Sequence, residues 1–275
     1  MDRLFCALGP TATAANATRG ARERTNLMTI TTPPVLGDSD VRDNAAWHSL
    51  TGAHAHLAIG DDLVRRYPDD VAGFVGVRTW DDPAVWDSLA SVVGSGNEFS
   101  ISTPLRADAT GAGAGSAEPE LPEGWVRTFG GAGVQLVETD RLRPRPDDEA
   151  IELGEADVAD MLALVERNRP GPFRPRTYLL GRYIGIRRDG RLIAMAGERL
   201  QPGEWTEISA VATDEAYRRQ GLASRLVLDV AFHIQQRGGR AMMHAAASNV
   251  NAIAGYEKLG FELRQKTNFT GVRVP

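Results

Sequence analysis

Residues 207–213 read EISAVAT and residues 218–224 read RRQGLAS. The first run is strand-like, and the second leads into an amphipathic helix beginning near Leu222. A helix start carries backbone N–H groups without intrahelical partners, and the aligned peptide dipoles place partial positive charge there. A strand, a tight turn and a helix start therefore make a natural cradle for a pyrophosphate. Gly221 and the small Ala223 let backbone approach such a ligand closely. Downstream, Leu222, Leu226, Val227, Val230, Ala231 and Ile234 fall on one helical face before the pair Gly238-Gly239, and RAMMHAAA (240–247) reads as a buried strand.

A second segment, NVNAIAGYEKLGF (249–261), follows that strand. With Arg218, Gly221 and Ala223 in the pattern R-x-x-G-x-A, and Asn249, Ala252, Tyr256, Gly260 and Phe261 in N-x-x-A-x-x-x-Y-x-x-x-G-F, the chain resembles the GNAT superfamily of acyl-CoA-dependent N-acyltransferases. The motifs stand in the family's order at a fitting distance. The likeness extends over 148–275 as element order: strand and helix in AIELGEADVADMLALVERN, with Val158, Met161, Leu162 and Val165 inward; a hairpin turning at Asp189-Gly190; the strand EWTEISAVAT; the two motif helices; and one or two closing strands in FELRQKTNFTGVRV. The expected fold class is α/β with a mixed sheet.

The resemblance implies acetyl transfer from acetyl-CoA to a primary amine of a small molecule or peptide, without a covalent enzyme intermediate and without a metal. It assigns the pyrophosphate to the backbone amides of Gln220, Gly221, Leu222, Ala223 and Ser224, with Arg218 and Arg219 in the same cofactor-binding set. Val211, Ala212 and Thr213 would pair with the pantetheine arm where the central strand and the next one splay apart. Asn249 and Ala252 join the cofactor set, although Asn249 equally fits a helix cap. Tyr256 is the candidate general acid, since a phenol donates a proton while staying neutral; as a pattern it fits a core tyrosine as well. Glu207 is the candidate base, with Glu198 a competitor and His244 a base or orienter; each also reads as a structural strand residue. In RNRPGPFRPRTYLLG (167–181), Pro170, Gly171, Pro172 and Pro175 stiffen a loop in which Phe173 would wall the acceptor pocket and Arg176 would hold an acceptor carboxylate, or simply connect elements. The same fold without turnover, a CoA-binding regulatory or scaffold protein, is the alternative.

The 275 residues suffice for two medium domains or one large one. Hydrophobic content of 42% and charged content of 24% are those of a globular protein. A formal charge of −5 argues against nucleic-acid binding by bulk electrostatics. The lone Cys6 excludes an intramolecular disulfide and fits a reducing, cytoplasmic setting. Residues 1–36 read as a disordered extension without an apolar run for a signal peptide or membrane span; Met28 is a second candidate initiator, and Asp2 and Glu23 oppose a transit peptide. Residues 37–140 read as an N-terminal α/β domain, either a degenerate copy of the C-terminal fold or an unrelated domain shaping the cleft. Within it, NAAWHSLTGAHAHLAIG suggests a helix presenting Trp47, Leu50 and His54, VAGFVGVRT a strand, DDPAVWDSLASVVG a helix, and EFSIST and GVQLVET strands. The GAGAG in the Pro-rich stretch 108–124 is a loop, because Pro119 and Pro122 stand where a dinucleotide motif needs a helix. His54 and His56 lack a third ligand for a metal site. DRLRPRPDDE (140–149) reads as a linker.

Overall fold

The computed structural model describes residues 40–107, 114–116, 119–168 and 171–275. The readings that concern the N-terminal extension, Cys6, Met28, most of the GAGAG stretch and Pro170 lie outside them. In chain order the elements are α1 (Ala45–Thr51), β1 (Ile59–Gly60), β2 (Val64–Arg66), β3 (Val75–Val77), α2 (Val85–Val93), β4 (Glu98–Ala107), β5 (Ala114–Ser116), β6 (Val126–Glu138), β7 (Ile151–Leu153), α3 (Val158–Asn168), β8 (Tyr183–Arg188), β9 (Arg191–Glu198), β10 (Trp205–Thr213), α4 (Leu222–Gln236), β11 (Arg240–Ala246), α5 (Val250–Leu259) and β12 (Phe261–Arg273).

One nine-stranded mixed sheet runs β5-β4-β12-β6-β11-β10-β9-β8-β7, and β1 to β3 form a separate small sheet. Among the described strands β10 and β11 are the one parallel pair, and α4 is the crossover between them. The six apolar residues read from the helical period of α4 are all buried against the strands. Full burial of each large aliphatic side chain contributes roughly 1.5–3 kcal/mol, which fixes the helix to the sheet. The β8–β9 hairpin turns at Asp189 and Gly190 with φ of 51° and 77°, the two positive values a tight hairpin needs.

The expected one or two closing strands prove to be one, β12, and the strand beside it comes from the first half of the chain. β6 pairs antiparallel with β11 on one side and β12 on the other, while β4 pairs with the far edge of β12. No break between sheets therefore falls at 140–148, and Asp38–Pro275 forms one compact unit. β6 is also longer than GVQLVET, because Gly130 and Gly131 masked its first half; along the β6–β12 pair the ring of Phe269 lies over Gly133 and that of Phe129 over Gly271.

Segment 140–149 is pinned in place rather than free. Arg225 of α4 makes a two-pronged ion pair with Asp147 at 2.6 and 2.7 Å, and the Asp147 amide donates to Asp229 at 2.8 Å. In the first half, α1 ends at Thr51, so His54 lies beyond the helix and not on its face. It is nonetheless buried, flanked by the Tyr67 hydroxyl at 2.8 Å from Nδ1 and the Leu180 carbonyl at 3.0 Å from Nε2.

Candidate functional site

β10 and β11 pair from Trp205↔Arg240 to Ile208↔Met243, and no further. Both strands continue, to Thr213 and Ala246, so beyond that vertex a gap opens in the middle of the sheet. On its other edge β10 shifts register against β9 between Ser209 and Ala212, and Ala210 there has φ of 52°. A non-glycine residue in the left-handed region costs on the order of 1 kcal/mol and marks a bulge that re-aims the strand. Val211, Ala212 and Thr213 line this diverging end. The Thr213 hydroxyl is buried without a hydrogen-bond partner among the described residues, which fits an absent polar ligand.

The turn after β10 begins with Asp214, whose side chain accepts from the Ala216 amide. Arg219 (φ 63°) and Gly221 (φ 78°) then bend the chain into α4. The backbone amides of residues 219–224 have no acceptor among the described residues; the first satisfied one is Arg225, which donates to the Gly221 carbonyl at 3.0 Å. Gly221 is exposed, and a Cβ there would meet nothing within 4 Å. Its need is therefore conformational, with room left above it. Leu222 is buried as the first core contact of α4, Ala223 and Ser224 are half-buried, and Gln220 is exposed. Arg218 reaches the Asn168 side chain at the end of α3 at 2.9 Å.

The residues of 249–261 divide between scaffold and site. Asn249 caps α5, its side chain accepting from the Ala252 amide at 3.3 Å. Gly260 ends the helix with φ of 114°, and a Cβ there would sit 2.4 Å from the Leu142 amide nitrogen, so only glycine fits. Phe261 is core, its ring edge-on to Tyr256 with centroids 6.5 Å apart. The Tyr256 ring packs against the main core, and its hydroxyl has no hydrogen-bond partner among the described residues. Burial pushes this phenol up to about 12, so it holds its proton at neutral pH.

Glu207 stands at the vertex, completely buried, with both oxygens committed. Arg199 Nε donates to Oε2 at 2.9 Å and Nη2 to Oε1 at 2.6 Å, and His244 Nδ1 lies 2.7 Å from Oε1. Burial alone would raise its carboxyl; the Arg199 guanidinium, followed by His244, outweighs that and holds it well below the usual carboxylate range. Such a carboxylate is a weak base with no free lone pair facing solvent. His244 is tied on its other side too, Nε2 lying 3.0 Å from Gln135 Nε2. Gln135 in turn accepts from Arg264 Nη1 at 2.7 Å, and the same nitrogen donates to Asp43 at 2.7 Å. A polar belt thus crosses the sheet at the line where it opens, with Arg199 following β9, then Glu207 on β10, His244 on β11, Gln135 on β6 and Arg264 on β12.

The remaining candidates are not brought to this place. Glu198 stands opposite Ile208 in the β9–β10 register, but its side chain turns away to Arg237 at 2.9 Å, past the C-terminal end of α4. Its charge is matched by Arg237 there, on another partner than those of Glu207. Arg176 makes a half-exposed ion pair with Asp70 at 3.2 Å, a contact worth little in stability and one that occupies the fork expected to hold an acceptor. Phe173 is half-buried, edge-on to Tyr183 at 5.6 Å. Sequence reading missed Arg199, Gln135 and Arg264. Only Arg199 left a local signal, an arginine beside the acidic Glu198 at the end of a strand.

Residues 183–270 match the family of FR47-like proteins. A GNAT-family protein of Novosphingobium aromaticivorans, known from a crystal structure, is 31% identical, with 86% of this chain and 100% of that one covered and a TM-score of 0.74. The GCN5-related N-acetyltransferase of Kribbella flavida shares the fold at 18% identity, covering 84% of this chain and 94% of its own, with a TM-score of 0.54. N-alpha-acetyltransferase 30 of Dictyostelium discoideum is 27% identical over 118 residues; the match takes in 39% of this chain, which spans 64% of that relative's length.

Proposed function

The chain belongs to the GNAT family of acetyltransferases, and from that premise we propose that it transfers an acetyl or other acyl group from acyl-CoA to a primary amine of a small molecule or peptide. What carries the reading is the parting of β10 and β11 beyond Ile208 and Met243, directly ahead of the unpartnered amides of residues 219–224. A thioester arm can extend along β10 at Val211 to Thr213 as an added strand, and its pyrophosphate can accept from the cradle. Arg218, Arg219 and Gln220 flank that anion, and Asn249 and Ala252 shape the start of α5 beside the gap.

In the reaction the amine nitrogen attacks the thioester carbonyl, the C–S bond breaks, and the departing thiolate takes the phenolic proton of Tyr256. The hydroxyl, without a partner among the described residues, keeps its proton at neutral pH and so has one to give, as a weaker acid than an ordinary phenol. The proton lost by the amine passes to solvent, because Glu207 is fully paired. The decisive experiment mixes acetyl-CoA with a panel of small amines and peptide amino termini and follows thiol release; no release with any amine, together with an acetyl-CoA-dependent rise in melting temperature, would replace this reading.

The alternative, a CoA-binding protein without turnover, is favoured by one observation: Glu207 and His244, the two groups at the vertex suited to take a proton, are both spent on internal partners. Thiol release separates the two readings, whereas binding alone does not.

A further inference from the structure

The proton on His244 is determined by residues far from it in the chain. Gln135 sits in strand β6, wholly buried, with the oxygen and nitrogen of its amide held in opposite surroundings. Its oxygen faces the Arg264 guanidinium at 2.7 Å, and its nitrogen donates to the Arg42 carbonyl at 3.0 Å. A flipped amide would set nitrogen against guanidinium and oxygen against carbonyl, so its orientation follows from chemistry. The second hydrogen of that nitrogen points at His244 Nε2, 3.0 Å away. A donor there requires a lone pair on Nε2. The ring proton must then be on Nδ1, where it donates to Glu207 Oε1 at 2.7 Å.

We propose that Gln135 is a positioning residue that holds His244 neutral, with its single ring proton on Nδ1, at the vertex where β10 and β11 part. The charged and titratable groups around the ring are Glu207 on β10, Arg199 behind Glu207, and Arg264 with Asp40 and Asp43 behind Gln135; the Phe269 ring of β12 closes the remaining side at 6.0 Å. With His244 neutral, Arg199 balances Glu207 one for one. A second ring proton would make the vertex cationic, beside the place where an amine must arrive uncharged. Gln135 prevents this by leaving Nε2 no acceptor. The kinetic consequence rests on the acyltransfer reading; the tautomer does not.

The test uses the full chain with 15N-labelled histidine and ring proton–nitrogen correlation spectra at neutral pH. The His244 signal is assigned by its loss in His244→Asn and by its contact with the Phe269 ring. The expected wild-type pattern is a neutral ring protonated on Nδ1; a ring protonated on Nε2, or an imidazolium, overturns the proposal. Gln135→Glu substitutes an acceptor for the donor, so His244 is expected to become an imidazolium between two carboxylates, and an unchanged neutral pattern in that folded variant also overturns it. Should Gln135→Glu fail to fold, the wild-type spectrum decides. The expected spectra without thiol release would leave Gln135 in its role and remove the acyltransfer reading instead.

Discussion

Tyr256 was legible in the sequence because its spacing from Asn249, Gly260 and Phe261 is local, and a local spacing survives in a linear string. Its environment sharpens the role: a ring held by the core and a hydroxyl left without a partner. Tyr256→Phe is expected to lower kcat by roughly 10²- to 10⁴-fold with the KM for acyl-CoA little changed, as measured by thiol release. Arg199, Gln135 and Arg264 were not legible, since a buried ion pair shows in sequence only when its members are neighbours. Gln135 meets His244 across 109 residues and Arg264 across 129. His54, read as part of a helix face, has a different consequence. Burial lowers its imidazole to about 4, although the bond to the Leu180 carbonyl opposes this. The unfolded chain takes up that proton from about pH 6.5 downward and the folded chain does not, so this contribution to stability is fully present above pH 6.5 and declines by roughly 3 kcal/mol in all as pH falls to about 4. Urea unfolding across that window should show the loss, and His54→Gln should flatten it.

At the scale of elements, the strand–turn–helix unit of β10 and α4 was read correctly because each half has its own signal. Apolar residues at helical period mark α4, and a glycine that must take positive φ marks its entry. The same conformational logic governs the exit from α5. Gly260→Ala is expected to cost roughly 2–3 kcal/mol, because the new Cβ is driven into the backbone of Arg141 and Leu142 at a φ that alanine avoids. A lower denaturation midpoint at unchanged slope would register it. The segment 140–149 escaped the reading for the opposite reason. Its prolines and charges look like a solvated connector, and its attachment to α4 depends on Arg225 and Asp229, which single-sequence patterning cannot pair with it. β6 was cut short because Gly130 and Gly131 depress strand propensity and carry no side chain whose alternation could mark a strand.

For the whole molecule, the likeness to the Novosphingobium aromaticivorans protein covers 86% of the chain, so it takes in most of the segment ahead of the motif region. That segment is needed by the sheet itself. Residues 148–275 expressed alone would leave an edge of β11 and both edges of β12 unpaired, exposing backbone groups that a sheet interior satisfies. This fragment is expected to be insoluble or loosely packed by gel filtration and near-UV circular dichroism. Co-expression with residues 38–140 should restore a soluble complex, and a well-folded fragment on its own would contradict the requirement. A further consequence concerns time. β12 lies between β4 and β6, both synthesised more than a hundred residues earlier, so those two strands must wait for the neighbour that joins them. Folding from first residue to last is closed to such a chain. The ladder and the vertex beside it form late, by long loop closures that make folding slow, and in the interval β4 and β6 are open edges that call for a chaperone or an empty neighbourhood.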